Sequence, residues 1–240
     1  MAGPMLTEKV TSPPTEAVTP LPAASAIILR DDPFEVLMLR RHEKSSFVPN
    51  AWVFPGGIAE ESDTELAQIL GDGSMLDAMR VTAIRETFEE TGVWLGARLD
   101  DAERKRSELL AGNIAFRDII AEAPVELMQL VWTSRWITPA GIPKRFDTYF
   151  FLATVSGDAV ATAEQKEVVD VTWIHPTEAL ARHAAREMQM VFPTLRNLEA
   201  ITGFATAAAL LDARRGAIVE AIEPVLVNGK PTLSSEPLSP

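Results

Sequence analysis

Apolar residues recur in short runs near the start of the chain, and their spacing predicts three strands. Residues 23–30 form a nearly continuous apolar run that is typical of a buried strand, and residues 35–40 form a second one. The sequence Asp-Asp-Pro separates the two runs, so they are expected to pair as a hairpin. A third short strand is predicted over residues 52–54, where the sequence Pro-Gly-Gly ends it.

The clearest helical pattern in the chain covers residues 76–91. Its apolar residues recur at helical spacing, at Leu76, Met79, Ala83, Ile84 and Phe88. Gly92 follows directly and is a typical C-cap. The later pattern predicts one or two helices within residues 102–121, strands over 127–137, 146–155 and 168–174, and helices over 177–188 and 193–215. Because strands mix with helices, we expect an α/β fold with a mixed sheet between helices.

The two ends of the chain have a different composition from the middle. Residues 1–20 combine proline, threonine and scattered charges without an apolar face, and this predicts a flexible N-terminal tail. Residues 21–215 are expected to form one domain, and residues 216–240 a C-terminal extension. This extension is predicted to be loop-like from residue 224, with a turn at Asn228-Gly229.

Composition narrows the classes of function. The chain has no cysteine, which excludes disulfides, thiolate zinc sites and a cysteine nucleophile. Its net charge is −12, and an acidic surface repels nucleic acid, so no nucleic-acid partner is expected. Charged residues interrupt every apolar run before it is long enough to cross a bilayer, and the N-terminus lacks the pattern of a secretory signal. We therefore expect a cytoplasmic protein without a membrane partner.

Three carboxylates in the predicted helix over residues 76–91 form the candidate chemical centre. Glu86, Glu89 and Glu90 stand at positions i, i+3 and i+4, so they share one helix face and repel one another. Two of them also lie in the last turn, where the helix dipole disfavours anions. A solvated acidic face is the ordinary interpretation, but a bound divalent cation would relieve both conflicts.

The glycines before this helix and the acidic residues within it resemble one known signature. The segments 52–57 (Trp-Val-Phe-Pro-Gly-Gly) and 85–93 (Arg-Glu-Thr-Phe-Glu-Glu-Thr-Gly-Val) resemble the Nudix box. That resemblance implies a Nudix α/β/α sandwich with a mixed β-sheet, and Mg²⁺- or Mn²⁺-dependent cleavage of nucleoside diphosphates linked to another group. Residues 135–139 and 145–151 resemble the branch of nucleoside diphosphate-linked moiety X motif 19 proteins, some of which are coenzyme A diphosphatases.

The spacing within the box departs from the standard pattern. Between Gly57 and Arg85 there are 27 residues, an insertion of 14 that we place at about residues 58–75. Asp63 holds the place of the first box glutamate when positions are counted from Gly57. Asp77 holds that place when positions are counted back from Arg85. Counting leaves both alternatives open.

The resemblance assigns roles to individual residues. It implies that Glu86, Glu89 and Glu90 bind the metal, together with the carbonyl group of Gly57. Arg85 is expected to orient the acidic side chains through charge-assisted hydrogen bonds. The general base is left open between Glu89 and Glu167, with Glu164 as a weaker choice.

Four further residues are candidates for contacts with the substrate. Arg40 and Arg41 follow a predicted strand and are expected to reach the phosphates, whereas Arg145 and Asp147 are expected to recognise the rest of the substrate. Arginines beside strands are more often ordinary surface groups. A coenzyme A or acyl-coenzyme A substrate is expected from the branch, with an ADP-ribose or NADH pyrophosphatase as the alternative. A non-catalytic nucleotide-sensing or protein-binding module is the other alternative, and a homodimer is one expected assembly.

Overall fold

Ten strands and seven α-helices make up the fold of the residues that the computed structural model describes, which are 18–45 and 48–233. The strands of the main sheet are β1 (Leu21–Arg30), β2 (Glu35–Arg41), β3 (Trp52–Val53), β4 (Gly56–Ile58), β5 (Val131–Ile137), β6 (Phe146–Thr154), β7 (Val168–Ile174) and β8 (Ala221–Ile222). The helices are α1 (Glu61–Leu70), α2 (Met75–Thr91), α3 (Ala102–Leu110), α4 (Phe116–Glu122), α5 (Pro176–Ala184), α6 (Phe192–Ile201) and α7 (Ala207–Arg214). A separate two-stranded hairpin pairs β9 (Val225–Val227) with β10 (Lys230–Thr232).

Strand β1 lies at the centre of the sheet, whose main path runs β3-β2-β1-β6-β5-β8. On one side it runs parallel to β6, from the pair Leu21 and Phe146 to the pair Leu29 and Thr154. On its other side it pairs antiparallel with β2 at one end and with β4 at the other. Strand β7 pairs antiparallel with β2, and β8 pairs parallel with β5. The sheet is therefore mixed, as the resemblance implied.

Alternating side chains of the central strands supply two separate cores. On β1, Ile28 belongs to the core beneath α1, α2 and α4, whereas Ile27 and Leu29 belong to the core beneath α5, α6 and α7. The same alternation on β2 places Leu37 in the first core and Met38 in the second. Since successive side chains of a strand point to opposite faces, a strand that is apolar throughout must be covered on both faces. The α/β/α sandwich is confirmed.

Several predicted boundaries differ from the structure. The run over 127–137 begins with a 3₁₀ turn (Leu127–Gln129) before β5, because an apolar run alone does not distinguish a turn against the core from a strand. The helix predicted over 193–215 is two helices, α6 and α7, which a turn at residues 202–206 separates. The insertion predicted at about 58–75 contains α1, which packs against α2.

The described part of the C-terminal extension, residues 216–233, contains more secondary structure than the sequence predicted. Strand β8 joins the sheet beside β5, and the predicted turn at Asn228-Gly229 connects β9 to β10. Most of the predicted N-terminal tail, residues 1–17, lies outside the described residues. Among the described residues, no helix combines the length and the apolar character needed to cross a membrane.

Candidate active site

Helix α2 carries the candidate carboxylates, and its two ends are well defined. Ser74 caps its start by accepting a hydrogen bond from the backbone N–H of Asp77. Gly92 ends it in the left-handed conformation (φ 73°) that glycine adopts without strain. The buried Arg106 of α3 donates from Nε to the backbone carbonyl of Glu89 at 2.9 Å. This arginine therefore places a positive charge at the last turn of α2, where the helix dipole favours a cation.

The segment 54–57, which joins β3 to β4 and includes the start of β4, lies directly against the carboxylates of α2, and we call it the glycine loop. The backbone N–H of Gly56 donates to Oε2 of Glu90 at 2.9 Å. A Cβ atom on Gly57 would lie 2.4 Å from Oε1 of Glu86, which is closer than van der Waals contact allows. A Cβ atom on Gly56 would lie 2.3 Å from the carbonyl oxygen of Ala24. Glycine at position 56 is therefore required by the close approach of this loop to β1, and glycine at position 57 leaves the space that the Glu86 carboxylate occupies.

Arg85 is bound by Asp63, and the pair links the insertion to the acidic helix. Nε and Nη2 of Arg85 each donate to one oxygen of Asp63 at 2.9 Å, and both side chains are buried. Nη1 of Arg85 donates to Glu86 and to Glu89, at 3.0 Å in each case. The bidentate pair fixes the plane of the guanidinium group, which then orients two of the three carboxylates.

This geometry decides between the two aspartates that counting left open. Asp63, in the first turn of α1, takes the place of the first box glutamate. Asp77 instead forms an ion pair with Arg80 at 2.7 Å and accepts from the backbone N–H of Asp72. The additional residues of the box therefore follow Asp63, and α1 projects its first turn back towards Arg85.

Burial raises the pKa of all three carboxylates. Burial raises the pKa of Glu86 to about 7, against the opposing attraction of Arg85 and with a further rise from Glu89. Burial raises the pKa of Glu89, and Arg85 again opposes the shift. Burial raises the pKa of Glu90 well above its ordinary value, and the charge of Glu86 adds to the effect. Burial thus disfavours the charged form of each carboxylate more than Arg85 and Gly56 stabilise it, and a bound cation would stabilise that charged form.

The three carboxylates are chemically suitable ligands for a hard divalent cation, but in this structure their side chains bind other groups of the protein. Carboxylate oxygens are the ligands that Mg²⁺ and Mn²⁺ prefer. Within residues 18–45 and 48–233, however, no three acidic or histidine side chains converge on one ion position. Glu86 and Glu89 face Nη1 of Arg85, whereas Glu90 faces the N–H of Gly56. Rotation of these flexible side chains on a fixed helix face would bring the oxygens together.

A cleft of about 400 Å³ opens in front of this loop, and we call it the substrate cleft. Gly56, Gly57 and Ile58 form one wall of the substrate cleft, so the carboxylates lie immediately behind that wall. Aromatic side chains of β6 form the opposite part. The charged residues that line it are Arg41, Lys144 and Glu167.

The structure brings only one of the two candidate phosphate-binding arginines to the substrate cleft. Arg41 lines the cleft, and its charge acts on Glu90 by lowering the pKa that burial raises. Arg40, its neighbour on β2, points to the other face and forms an ion pair of 3.6 Å with Asp170 on β7. The alternation of side chains along a strand explains why adjacent arginines separate.

Arg145 and Asp147, which were expected to recognise the rest of the substrate, do not line the substrate cleft. The guanidinium group of Arg145 is buried and donates to the carbonyls of Thr138 and Val18 and to the carboxylate of Glu223. Asp147 forms a bidentate pair with Arg135 on the neighbouring strand, at 2.8 and 2.7 Å. Both side chains bind other groups of the protein and neither lines the cleft, so the structure does not support their expected contact with the substrate. Lys144 lines the cleft instead and had no signal in the sequence.

The two loop glutamates before β7 have different surroundings. Glu167 is exposed and lines the substrate cleft, and its charge raises the pKa of Glu90. Glu164 accepts hydrogen bonds from the backbone N–H groups of Glu167 and Val168 and so holds the loop in shape. Of these two residues, the structure thus leaves Glu167 available for chemistry. Glu89, the other candidate base, is bound to Arg85.

The fold and the acidic helix define a class of protein, and comparison with known families identifies it. The family described as the NUDT19 Nudix domain matches residues 71–201, which is more than half of the chain. The chain therefore belongs to the Nudix hydrolase family. Within that family it resembles the NUDT19 proteins.

Individual relatives agree with this assignment. Acyl-coenzyme A diphosphatase NUDT19 of Xenopus laevis is 29% identical, and the match covers 72% of this chain and 60% of the relative. The human protein of the same name is 26% identical and is matched over 66% of its length. A Nudix hydrolase from Alicyclobacillus acidocaldarius superposes with a TM-score of 0.73 at 27% identity, over 83% of this chain and 99% of that one. The chain thus spans less than two thirds of the length of these curated relatives.

Proposed function

We propose that this Nudix hydrolase is a divalent metal-dependent diphosphatase, and that its substrate is coenzyme A or an acyl-coenzyme A. The observation that carries the proposal is the pairing of the glycine loop with the acidic helix. Glu90 accepts a hydrogen bond from the backbone N–H of Gly56, and the Glu86 carboxylate occupies the space that a side chain at position 57 would fill. An acidic face that merely meets solvent would not need a buried Arg85 and Asp63 behind it.

The residues on and behind α2 are proposed to bind the metal and to hold its ligands in place. Glu86, Glu89 and Glu90 would hold Mg²⁺ or Mn²⁺, together with the carbonyl group of Gly57. The bound metal would supply a Lewis acid for the diphosphate oxygens and lower the pKa of an attacking water. Arg85 keeps the carboxylates in place through its bidentate bond to Asp63.

Other residues act at the opening of the substrate cleft. Arg41 binds the negative charge of the diphosphate, and Lys144 lies close enough to add a second positive charge. We assign the general base to Glu167, because its exposed carboxylate faces the cleft while Glu89 is bound to Arg85. Attack by the deprotonated water at phosphorus breaks one P–O bond of the anhydride and gives two phosphate-ended products.

The choice of substrate rests on the named relatives. The proteins from Xenopus laevis and Homo sapiens carry the name acyl-coenzyme A diphosphatase, at 29% and 26% identity. Hydrolysis of coenzyme A at its diphosphate would give 3′,5′-ADP and 4′-phosphopantetheine. An acyl ester would give the corresponding acyl-phosphopantetheine instead.

A panel of diphosphates distinguishes this proposal from its alternatives. The protein would be incubated with coenzyme A, dodecanoyl-coenzyme A, ADP-ribose and NADH, with Mg²⁺ or Mn²⁺, and the products read by mass. We expect 3′,5′-ADP from the first two compounds and slower release of AMP from the others. Cleavage of ADP-ribose or NADH alone would assign a different substrate. Absence of turnover with all four would favour a non-catalytic binding module.

The assignment of the base needs a separate pair of variants. Glu167→Gln should lower kcat by about 100-fold while KM changes little, since a general base contributes roughly 10²–10⁴ in rate. Glu164→Gln serves as the matched control in the same loop and should retain most of the activity. If Glu167→Gln keeps near-normal kcat over the whole pH range, the base must be sought at Glu89.

A further inference from the structure

A second cavity of about 350 Å³ adjoins the substrate cleft, and we call it the apolar chamber. The two cavities share four lining residues, which are Thr138 directly after β5, Thr148 on β6, and Val191 and Pro193 at the start of α6. The two cavities are therefore adjacent, and a ligand that extends from the substrate cleft past these residues would reach the apolar chamber.

The two cavities differ in chemistry. Arg41, Lys144 and Glu167 line the substrate cleft, whereas no charged side chain of the described residues lines the apolar chamber. The chamber is lined instead by rings and aliphatic groups, including Trp136, Ile137, Ile142, Phe192, Leu226 and Pro231. A cavity with this lining binds hydrocarbon better than it binds a phosphate or a sugar.

The C-terminal extension forms one wall of the apolar chamber and is held firmly. Pro224, Leu226 and Pro231 contribute to this wall from the β9–β10 hairpin and the residue before it. Immediately before the hairpin, β8 pairs with β5. The buried Arg145 binds the carboxylate of Glu223 at 2.6 Å, so the sheet fixes the hairpin at its base. The wall is thus a built part of the domain.

Apolar surface at the hairpin is left partly uncovered. Leu226 lines the apolar chamber and keeps 38% of its surface exposed, and the neighbouring Val225 keeps 47%. Water contact at these side chains costs free energy that an apolar ligand would recover. Two threonine hydroxyl groups at the junction of the cavities can serve polar groups of a linker that passes between them.

We propose that the apolar chamber binds the acyl chain of the substrate, while the diphosphate occupies the substrate cleft. The inference rests on the proposed function, and it deepens that function by predicting a preference for acyl esters over free coenzyme A. The diphosphate and the acyl group of such an ester are joined by a flexible pantetheine arm, which suits two adjoining cavities, one with charged side chains and one apolar. Leu226 and its hairpin then determine specificity, and Arg145 and Glu223 act as positioning residues.

The test compares one ratio between variants. The ratio is kcat/KM for dodecanoyl-coenzyme A divided by kcat/KM for coenzyme A. Leu226→Gln should lower this ratio about tenfold, because it places a polar group beside the hydrocarbon chain. Glu223→Ala should lower it in the same direction by releasing the hairpin from Arg145. Ile218→Gln is the matched control, since Ile218 is 93% exposed and lies before β8, and it should leave the ratio unchanged.

The outcomes separate the two proposals. An unchanged ratio in Leu226→Gln, with normal cleavage of coenzyme A by the wild type, overturns the assignment of the chamber and leaves the diphosphatase intact. If the wild type cleaves neither compound, the proposed function fails. Binding is then measured by calorimetry in EDTA, without turnover. Tighter binding of dodecanoyl-coenzyme A than of coenzyme A, with the difference lost in Leu226→Gln, supports the assignment of the chamber. Equal binding of the two compounds, or no binding of either, overturns it.

Discussion

Replacement of Asp63 by asparagine probes the connection between the insertion and the acidic helix. All four groups that contact this buried carboxylate are donors: Nε and Nη2 of Arg85, the hydroxyl of Thr82 and the backbone N–H of Glu60. Asparagine keeps one acceptor oxygen and presents an NH₂ group to donors on the other side. The variant therefore loses both a charge and at least one hydrogen bond.

The size of the loss follows from the burial of the pair. Removing one partner of a buried ion pair costs roughly 3–5 kcal/mol. Arg85 keeps its contacts to Glu86 and Glu89, so we expect the lower end, about 3 kcal/mol. For a domain of this size that corresponds to a fall in Tm of roughly 6–12 °C. The Mg²⁺ concentration for half-maximal activity should rise about tenfold, because the guanidinium group no longer has a fixed plane.

Asp77→Asn provides the matched control, since Asp77 is also buried and paired, with Arg80. It should lower Tm by a comparable amount and leave the Mg²⁺ requirement unchanged. Thermal unfolding and a Mg²⁺ titration of hydrolysis measure both quantities for both variants. An unshifted Mg²⁺ requirement in Asp63→Asn, or a shift of the same size in Asp77→Asn, would refute the reasoning.

Two further substitutions test the walls of the substrate cleft. Gly57→Ala should keep the fold but reduce kcat/KM by about 100-fold, because the new methyl group displaces the Glu86 carboxylate. Near-normal activity, read in a steady-state assay, would contradict the close approach. Arg41→Gln should raise KM about tenfold through loss of one charge-assisted contact to phosphate, whereas Arg40→Gln should change it little. Equal effects of the two arginine variants would contradict the placement of Arg41 in the cleft.

The parts of the fold that follow from side-chain periodicity could be predicted from the sequence. The apolar run that contains Ile27 and Ile28 indicated a strand buried on both faces, and β1 is covered by both cores. Helix α2 and its cap at Gly92 followed from apolar spacing and from the special conformation of glycine. In both cases a local pattern reports directly on a local structure.

Contacts between distant segments could not be read in the same way. Counting could not choose between Asp63 and Asp77, because the choice depends on how α1 folds back on α2. Arg145 has a charge that suits phosphate binding, but its guanidinium group forms an ion pair with Glu223 of the C-terminal extension. The apolar chamber likewise depends on where the β9–β10 hairpin packs. These features are set by tertiary packing, which leaves little trace in the order of residues.

The central claim is that Glu86, Glu89 and Glu90 bind a divalent cation on one face of α2. Electron paramagnetic resonance of Mn²⁺ measures this binding directly, without a substrate and without turnover. Glu90→Gln should weaken Mn²⁺ binding by more than about tenfold, since Gln keeps an acceptor for Gly56 but loses the charge. Glu103→Gln, which changes an exposed carboxylate on α3, should bind Mn²⁺ as the wild type does. Wild-type Mn²⁺ affinity in a folded Glu90→Gln variant would contradict the account.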